Sequence, residues 1–331
     1  MNMKIKIVSI QKYLPGKLIE SAELDKHAGL LEGWIKKNTG VEFRYHVNDD
    51  DSVSSIGAIA LTRALDAAGL KPNDLDLLIF AGGSYDYPIP HNSCILKSKI
   101  TDDSSSFPCF DIDSTCLSFL NGLDIAHMYL QSKRYKRIAL VSAEIASRGI
   151  TPEDPKVYGL FGDAAVALII ESNEENGYIP GYTNFTNFPS GALLAYVPIG
   201  GLVNIPSGKP TKKSDYFFNM DGKKLIRLTV GYLDDFVENV EINCSRSINS
   251  FDYIISHQTS RFGNEYFANR FNLSNSNVVT TLQQFGNCIS CSIPLGLEKI
   301  INNSKIILKD KSVLLIGTAA GLSFGCIQLN F

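Results

Sequence analysis

Three residues carry the chemistry this sequence offers: Cys116, His257 and Asn287. Cys116 stands where a β-type run, PCFDID, gives way to a helical run rich in Leu, Gly and Ala. A strand-to-helix elbow there would present the thiol at a helix start, whose partial positive charge lowers a thiol pKa and favours the nucleophilic thiolate. A cysteine so placed is also commonly just a small core residue. His257 follows directly on the apolar run FDYIIS, at the carboxyl end of the expected strand, where ligand sites gather in α/β sheets; alone, such a residue is more often a structural histidine than a catalyst. Asn287, in FGN, lies at a similar turn, where its neutral amide either donates a hydrogen bond to a ligand or bonds its own backbone.

The remaining reactive types are less organised. Glu144, in SAEIAS, is a conceivable base. The glycine-rich segment Gly317–Gly325 follows a strongly apolar strand and lets backbone approach closely, so an N–H there could serve an oxyanion, but it lacks the G-x-G-x-x-G of a nucleotide loop. Cys288 and Cys291 form a lone C-x-x-C without the second pair that zinc requires, and His127, His27, His46 and His91 make no metal-ligand spacing. No metal site is expected.

The elements around these residues come in pairs. Residues 53–69 have helical spacing and a glycine stop, and Leu77–Phe80 follows as a buried strand; Lys223–Val240 and Phe251–Ser256 repeat that order about 170 positions later. The elbow theme is also duplicated, FDIDSTCLSFLNGLDIAHMYL before RIALVSAE and TTLQQFGNCISCSIPLGLEKII before SVLLIG, with Cys116 and Asn287 in corresponding places 171 residues apart by subtraction. Alternating strands and helices in each half predict α/β layers with largely parallel central strands. The boundary falls near Ser172, dividing the chain into 1–172 and 173–331, and the Gly-, Pro- and Asn-rich stretch 181–216 reads as a long loop or cap over the site.

Composition narrows the class further. The chain has 331 residues, 44% hydrophobic and 20% charged, enough apolar material for a large core. A net charge of −3 gives no global attraction to nucleic acid or anionic membrane. No apolar run reaches the roughly 18 residues that span a bilayer, and the N-terminus lacks signal-peptide features, so a cytoplasmic location with its seven cysteines reduced is expected.

Taken in order, WIKKNTG, DIDSTCLSF, FGD followed by Ala164 and Ala165, MDG, SHQ, FGN with its following SIP, and the final glycine loop resemble β-ketoacyl-ACP synthase III nearly end to end. That resemblance implies the thiolase fold, with two pseudo-twofold-related βαβαβαββ halves in an α-β-α-β-α sandwich, and a homodimer. It implies an acyltransferase in which Cys116 takes an acyl group from a thioester, with the backbone N–H groups of Cys116 and Gly321 as oxyanion hole. His257 and Asn287 would stabilise the enolate left by decarboxylation of a malonyl thioester, which attacks the acyl-Cys116 carbonyl. Coenzyme A or acyl carrier protein thioesters would be the substrates, with no cofactor. Trp34 would stack on the coenzyme A adenine, Asp221 and Gly222 would line the pantetheine tunnel, and Lys223, Arg227, Arg261 and Arg270 would offer charge to phosphates or to an acidic carrier, or simply form a solvated face.

The chain departs from the family at Ser114, Thr115 and Leu117 around the nucleophile, at Ser260 in place of an asparagine, and at Asn38 in place of an arginine. Such changes fit relatives in polyketide or other specialised pathways. Three alternatives stay open: acyl transfer to an alcohol or amine with His257 as base, a non-decarboxylating Claisen reaction using Glu144, and a non-catalytic partner subunit of a heteromeric synthase. Starter acyl group and product are not legible.

Overall fold

The computed structural model describes residues 4–201 and 212–331. The first half contributes β1 (Lys4–Tyr13), β2 (Lys17–Glu20), α1 (Ser21–His27), α2 (Trp34–Thr39), β3 (Phe43–His46), α3 (Val53–Ala68), β4 (Leu77–Ala81), α4 (Asn92–Ile100), β5 (Cys109–Ile112), α5 (Ser118–Gln131), β6 (Arg137–Glu144), α6 (Pro155–Tyr158) and β7 (Ala164–Asn173). The second contributes β8 (Ile179–Asn187), β9 (Ala195–Tyr196), β10 (Asn219–Met220), α7 (Gly222–Cys244), β11 (Tyr253–Ser256), α8 (Arg261–Arg270), β12 (Val278–Val279), α9 (Leu282–Phe285), α10 (Ser292–Ile301), β13 (Ser312–Ala319) and β14 (Ser323–Asn330).

Two mixed sheets, ordered β1-β7-β6-β4-β5 and β12-β11-β13-β14-β8, are each parallel on one side, β6-β4-β5 and β12-β11-β13, and antiparallel on the other, so the central strands β6 and β13 are less uniformly parallel than the sequence predicts. Strand alternation dictates the layering. In β4, Leu77, Ile79 and Ala81 face one core while Leu78 and Phe80 face another; in β13, Val313 and Leu315 part from Leu314 and Ile316 in the same way. The inner faces of both sheets close on α5 and α10, through Phe119, Leu120, Leu123, Ile293, Leu295 and Leu297. The outer faces are covered by α3 on the first sheet and α7 on the second. This is the α-β-α-β-α sandwich of the thiolase fold. Each fully buried aliphatic side chain contributes about 1.5–3 kcal/mol.

The predicted helices and strands at 53–69, 77–80, 223–240 and 251–256 are all present. Ser52 caps α3 reciprocally with Ser55, and Gly69 ends it in the left-handed region. The stretch 181–216 differs from expectation. Its first residues belong to β8, which pairs antiparallel with β14, so Tyr182–Asn187 are strand and not cap. The cap reading applies only beyond Phe188, and residues 202–211 lie outside those described. Pairing with the C-terminal strand supplies order that Gly and Asn conceal in the sequence.

The internal duplication is real, but its register is 174 and not 171 residues. Ser118 Oγ accepts the N–H of Ser114 at 2.9 Å, and Ser292 Oγ accepts that of Cys288 at 3.1 Å. A Cβ on Gly122 would meet Leu140 at 2.7 Å, and one on Gly296 would meet Ile255 at 2.5 Å, so the same close helix-on-sheet packing demands glycine in both halves. In this register Cys116 corresponds to Ser290, and Asn287 corresponds to Asp113.

Candidate active site

The two elbows are built alike. Thr115 and Ile289, both β-branched, hold φ values of 52° and 50°, a conformation uncommon for such residues. Each is fixed by the side chain two residues earlier: Asp113 Oδ1 accepts the Thr115 N–H at 2.8 Å, and Asn287 Oδ1 accepts the Ile289 N–H at 2.9 Å. The first elbow turns the chain from β5 into α5 and carries Cys116 into a cavity of about 1120 Å³.

Asn287 is nearly buried, and its backbone is tied to the first half: its N–H donates to Leu160 O at 2.9 Å and its carbonyl accepts from Gly162 N–H at 3.1 Å. With Oδ1 committed to Ile289, Nδ2 is left as a donor. His257 follows β11 directly, its N–H donating to Ile316 O at 2.9 Å. Gly317 allows this, because a Cβ there would lie 2.9 Å from the His257 Cβ. Burial pushes the imidazole pKa down to about 4, and Nδ1 has no partner among the described residues. His257 is therefore neutral at physiological pH, a donor and a weak base.

Cys116, His257 and Asn287 all line the cavity. The thiol differs from expectation. Burial, and next the nearby Glu144 carboxylate, push its pKa up to about 12, partly offset by the backbone N–H groups of Ala320 and of Cys116 itself. The helix-start effect is outweighed, and the resting group is the thiol. The segment joining β13 to β14 turns at Gly321, where φ is 82°, while the N–H that reaches Cys116 is Ala320's; Ala320 lines the cavity and Gly321 does not.

Of the expected coenzyme A set, Gly222 lines the cavity; Trp34, Asp221, Arg227 and Arg261 do not. Asp221 caps α7 by accepting the Lys224 N–H at 3.1 Å. Trp34 opens α2 and packs partly buried against the cluster around Ile35 and Tyr158. Arg261 leans on Gly40 at the end of α2 and pairs with Glu265 at 3.6 Å, and Arg270 pairs with Asp234 at 2.6 Å. Ser260, the family asparagine's substitute, caps α8 through the Gly263 N–H at 3.1 Å. The lining includes Leu225, Ile226, Phe262 and Tyr266 from α7 and α8, and Val53 with the exposed Tyr85 and Tyr87. Among the described residues no cluster of His, Cys, Asp or Glu could hold a metal, and no helix is long and apolar enough to cross a membrane.

Sequence reasoning missed one positioning residue. Gln258 is buried; its Oε1 accepts from Thr280 Oγ1 and the Thr281 and Leu282 N–H groups at 3.1–3.2 Å, and its Nε2 donates to Ser256 O at 2.8 Å. It ties the His257 turn to the segment that leads into Asn287. Its place beside His257 in SHQ was the only available signal.

His257 and the buried His127, which contacts Tyr178 Oη at 2.7 Å, set an acid limit on stability. Burial lowers the His127 pKa to about 3. Below the ordinary value of 6.5 the unfolded chain binds protons that the folded chain refuses, so stability falls as pH falls, until the folded values are reached. Each of these imidazoles contributes up to about 1.4 kcal/mol per pH unit, so the pair's share of the slope between about pH 6 and 4 is up to about 2.7 kcal/mol per unit, to which His46, also pushed down to about 4 by burial, adds. Denaturant titrations across that window measure it, and His127→Gln should remove about half of the pair's share; an unchanged slope in that variant would refute the assignment.

The comparisons with known proteins agree with this geometry. Residues 110–186 match the family model for 3-oxoacyl-[acyl-carrier-protein (ACP)] synthase III, and residues 244–331 match the model for its C-terminal part. The chain is 30% identical over 331 residues to a beta-ketoacyl-[acyl-carrier-protein] synthase III of Rickettsia bellii, covering 99% of this chain and 100% of the other. The solved 3-oxoacyl-[acyl-carrier-protein] synthase III of Aquifex aeolicus superposes with a TM-score of 0.86 at 23% identity, over 99% of this chain and 100% of that one. The priming β-ketosynthase of the R1128 polyketide pathway superposes with a TM-score of 0.87 at 22% identity, over 100% and 97% respectively. With full-length kinship joined to this fold, the chain belongs to the β-ketoacyl-ACP synthase III family of condensing acyltransferases.

Proposed function

We propose that Cys116 is the acyl-accepting nucleophile of a decarboxylative Claisen condensation and that His257 and Asn287 hold the enolate. In the first half-reaction the thiol attacks an acyl thioester. The Cys116 S–C bond forms, the donor C–S bond breaks, and the proton leaves with the donor thiol. The N–H groups of Cys116 and Ala320 donate hydrogen bonds to the developing oxyanion. In the second, the malonyl carboxylate departs as CO2 and its electron pair becomes an enolate whose oxygen receives hydrogen bonds from His257 and Asn287 Nδ2. The enolate carbon then attacks the acyl carbonyl and expels the Cys116 sulfur.

The observation that carries this reading is the commitment of Asn287 Oδ1 to the Ile289 N–H, which leaves an amide donor in the same cavity as a neutral imidazole. Two neutral donors suit an enolate. Transfer to an alcohol or amine would need His257 as a base, and an imidazole titrating near 4 is a poor one.

The thioesters are proposed to arrive on a pantetheine arm of carrier protein or coenzyme A along the wall at Gly222, with Trp34, Asp221, Arg227 and Arg261 around the mouth. The enzyme is proposed to act without a cofactor, as a cytoplasmic homodimer. Incubating the purified protein with acyl-CoA and acyl-carrier thioesters and then malonyl-carrier protein tests the reading. An acyl adduct in the intact mass that disappears on malonyl addition, with one CO2 released per adduct lost, is expected; adduct loss by hydrolysis alone would refute condensation.

A further inference from the structure

We propose that Glu144, clamped between the two elbows, is a positioning residue that keeps Cys116 as the uncharged thiol until a thioester is seated. The assignment of Cys116 as the nucleophile comes from the proposed function, but the test below reads the thiol directly.

Glu144 ends β6 and is fully buried. Its Oε1 accepts the Gly83 N–H at 2.8 Å and the Ser290 hydroxyl at 2.5 Å, and its Oε2 accepts the Ser84 hydroxyl at 2.5 Å. The Ser84 oxygen in turn accepts the Ile145 N–H at 3.4 Å, which directs the Ser84 proton to the carboxylate. Burial pushes the Glu144 carboxyl above the usual carboxylate range, and the three converging donors, which favour the ionised form, oppose that push in part.

The clamp lies against the nucleophile elbow. A Cβ on Gly83 would sit 3.4 Å from Thr115 Cα and 3.9 Å from Glu144 Oε1, so only the width of a glycine separates the carboxylate from the residue preceding Cys116. Ser290, which donates the most distant of the three bonds, is the residue that the 174-residue repeat sets opposite Cys116. One elbow thus presents a nucleophile, and the other presents a hydroxyl that holds a carboxyl group beside it.

The groups facing the thiol are the carboxyl groups of Glu144 and Asp113, the neutral His257 and Asn287, and the Ala320 and Cys116 N–H groups. Around Glu144 stand Gly83, Ser84 and Ser290, with Asp113 and the neutral thiols of Cys288 and Cys291 nearby. A like charge beside a thiol disfavours the thiolate. A resting thiol is protected from electrophiles and oxidants, and during acyl transfer its proton passes to the departing donor thiolate, so no net proton is lost.

The test is the rate of Cys116 alkylation by iodoacetamide between about pH 6 and 10, read by peptide mass mapping so that the exposed Cys94 is scored separately. In Glu144→Gln the profile should move about one unit toward lower pH, so that Cys116 reacts on the order of tenfold faster near neutrality. Glu144→Asp should stay close to wild type. Ser290→Ala, which removes one donor and keeps the charge less firmly, should shift in the same direction by less, and it serves if Glu144→Gln does not fold. Superimposable profiles for wild type and a folded Glu144→Gln, or for wild type and Ser290→Ala, would overturn the proposal. If no thioester acylates the wild type while the alkylation profiles shift as stated, the functional reading fails and this inference stands.

Discussion

Cys116→Ala is expected to abolish the acyl adduct and to lower condensation by a factor on the order of 10⁴ or more, because the proposed covalent route loses its nucleophile. The fold tolerates the change. The elbow is held by Asp113, Ser114 and Ser118 through side-chain and backbone bonds in which the thiol takes no part. The variant also separates the two half-reactions. His257 and Asn287 are anchored to Ile316, Leu160 and Ile289, independently of Cys116. Cys116→Ala should therefore still release CO2 from a malonyl thioester, more slowly than wild type, without forming a β-ketoacyl product. Intact mass spectrometry measures the adduct, and labelled CO2 measures the decarboxylation. A Cys116→Ala enzyme that condenses at even a tenth of the wild-type rate would remove Cys116 from the mechanism.

Periodicity exposed the parts of the fold that depend on local sequence. The α3–β4 and α7–β11 pairs were readable because small and apolar residues recur at helical spacing before short runs such as LLIF, and because Gly69 supplies a stop that only the left-handed region satisfies. Features set by distant pairing were hidden. β8 reads as loop until β14, about 140 residues later, pairs with it.

The site shows the same division. His257 could be named because it ends the legible apolar run FDYIIS, Cys116 because a β-type run gives way to a helix there, and Asn287 because FGN marks a similar turn. The repeat register could not: at a spacing of 171 a cysteine and an asparagine coincide, and it is the matching bonds of Ser118 and Ser292 and the Asx bonds at Thr115 and Ile289 that make Asp113 the true counterpart of Asn287. Gly321 drew the oxyanion assignment because glycine marks a turn, whereas a turn made by one residue can present the N–H of its neighbour. Glu144 was visible as a base, but the three donors that converge on its carboxyl come from loops 60, 61 and 146 residues away.

Asn287→Asp probes the enolate site with the least disturbance. The new side chain has the same shape, and one oxygen can still accept the Ile289 N–H, so the strained turn keeps its support. The backbone bonds to Leu160 and Gly162 do not involve the side chain. What changes is the atom directed into the cavity: an N–H donor becomes an anionic oxygen. Loss of one such donor typically costs a factor on the order of 10²–10³ in kcat, and like-charge repulsion of the enolate adds to it. Acyl loading uses Cys116 and Ala320 and should stay within about threefold of wild type, so the defect should appear in kcat for malonyl consumption while the adduct accumulates. His257→Ala should also stall after loading, since it removes the other donor. If Asn287→Asp condenses within about threefold of wild type, the amide is only a turn residue and His257 must hold the enolate without it.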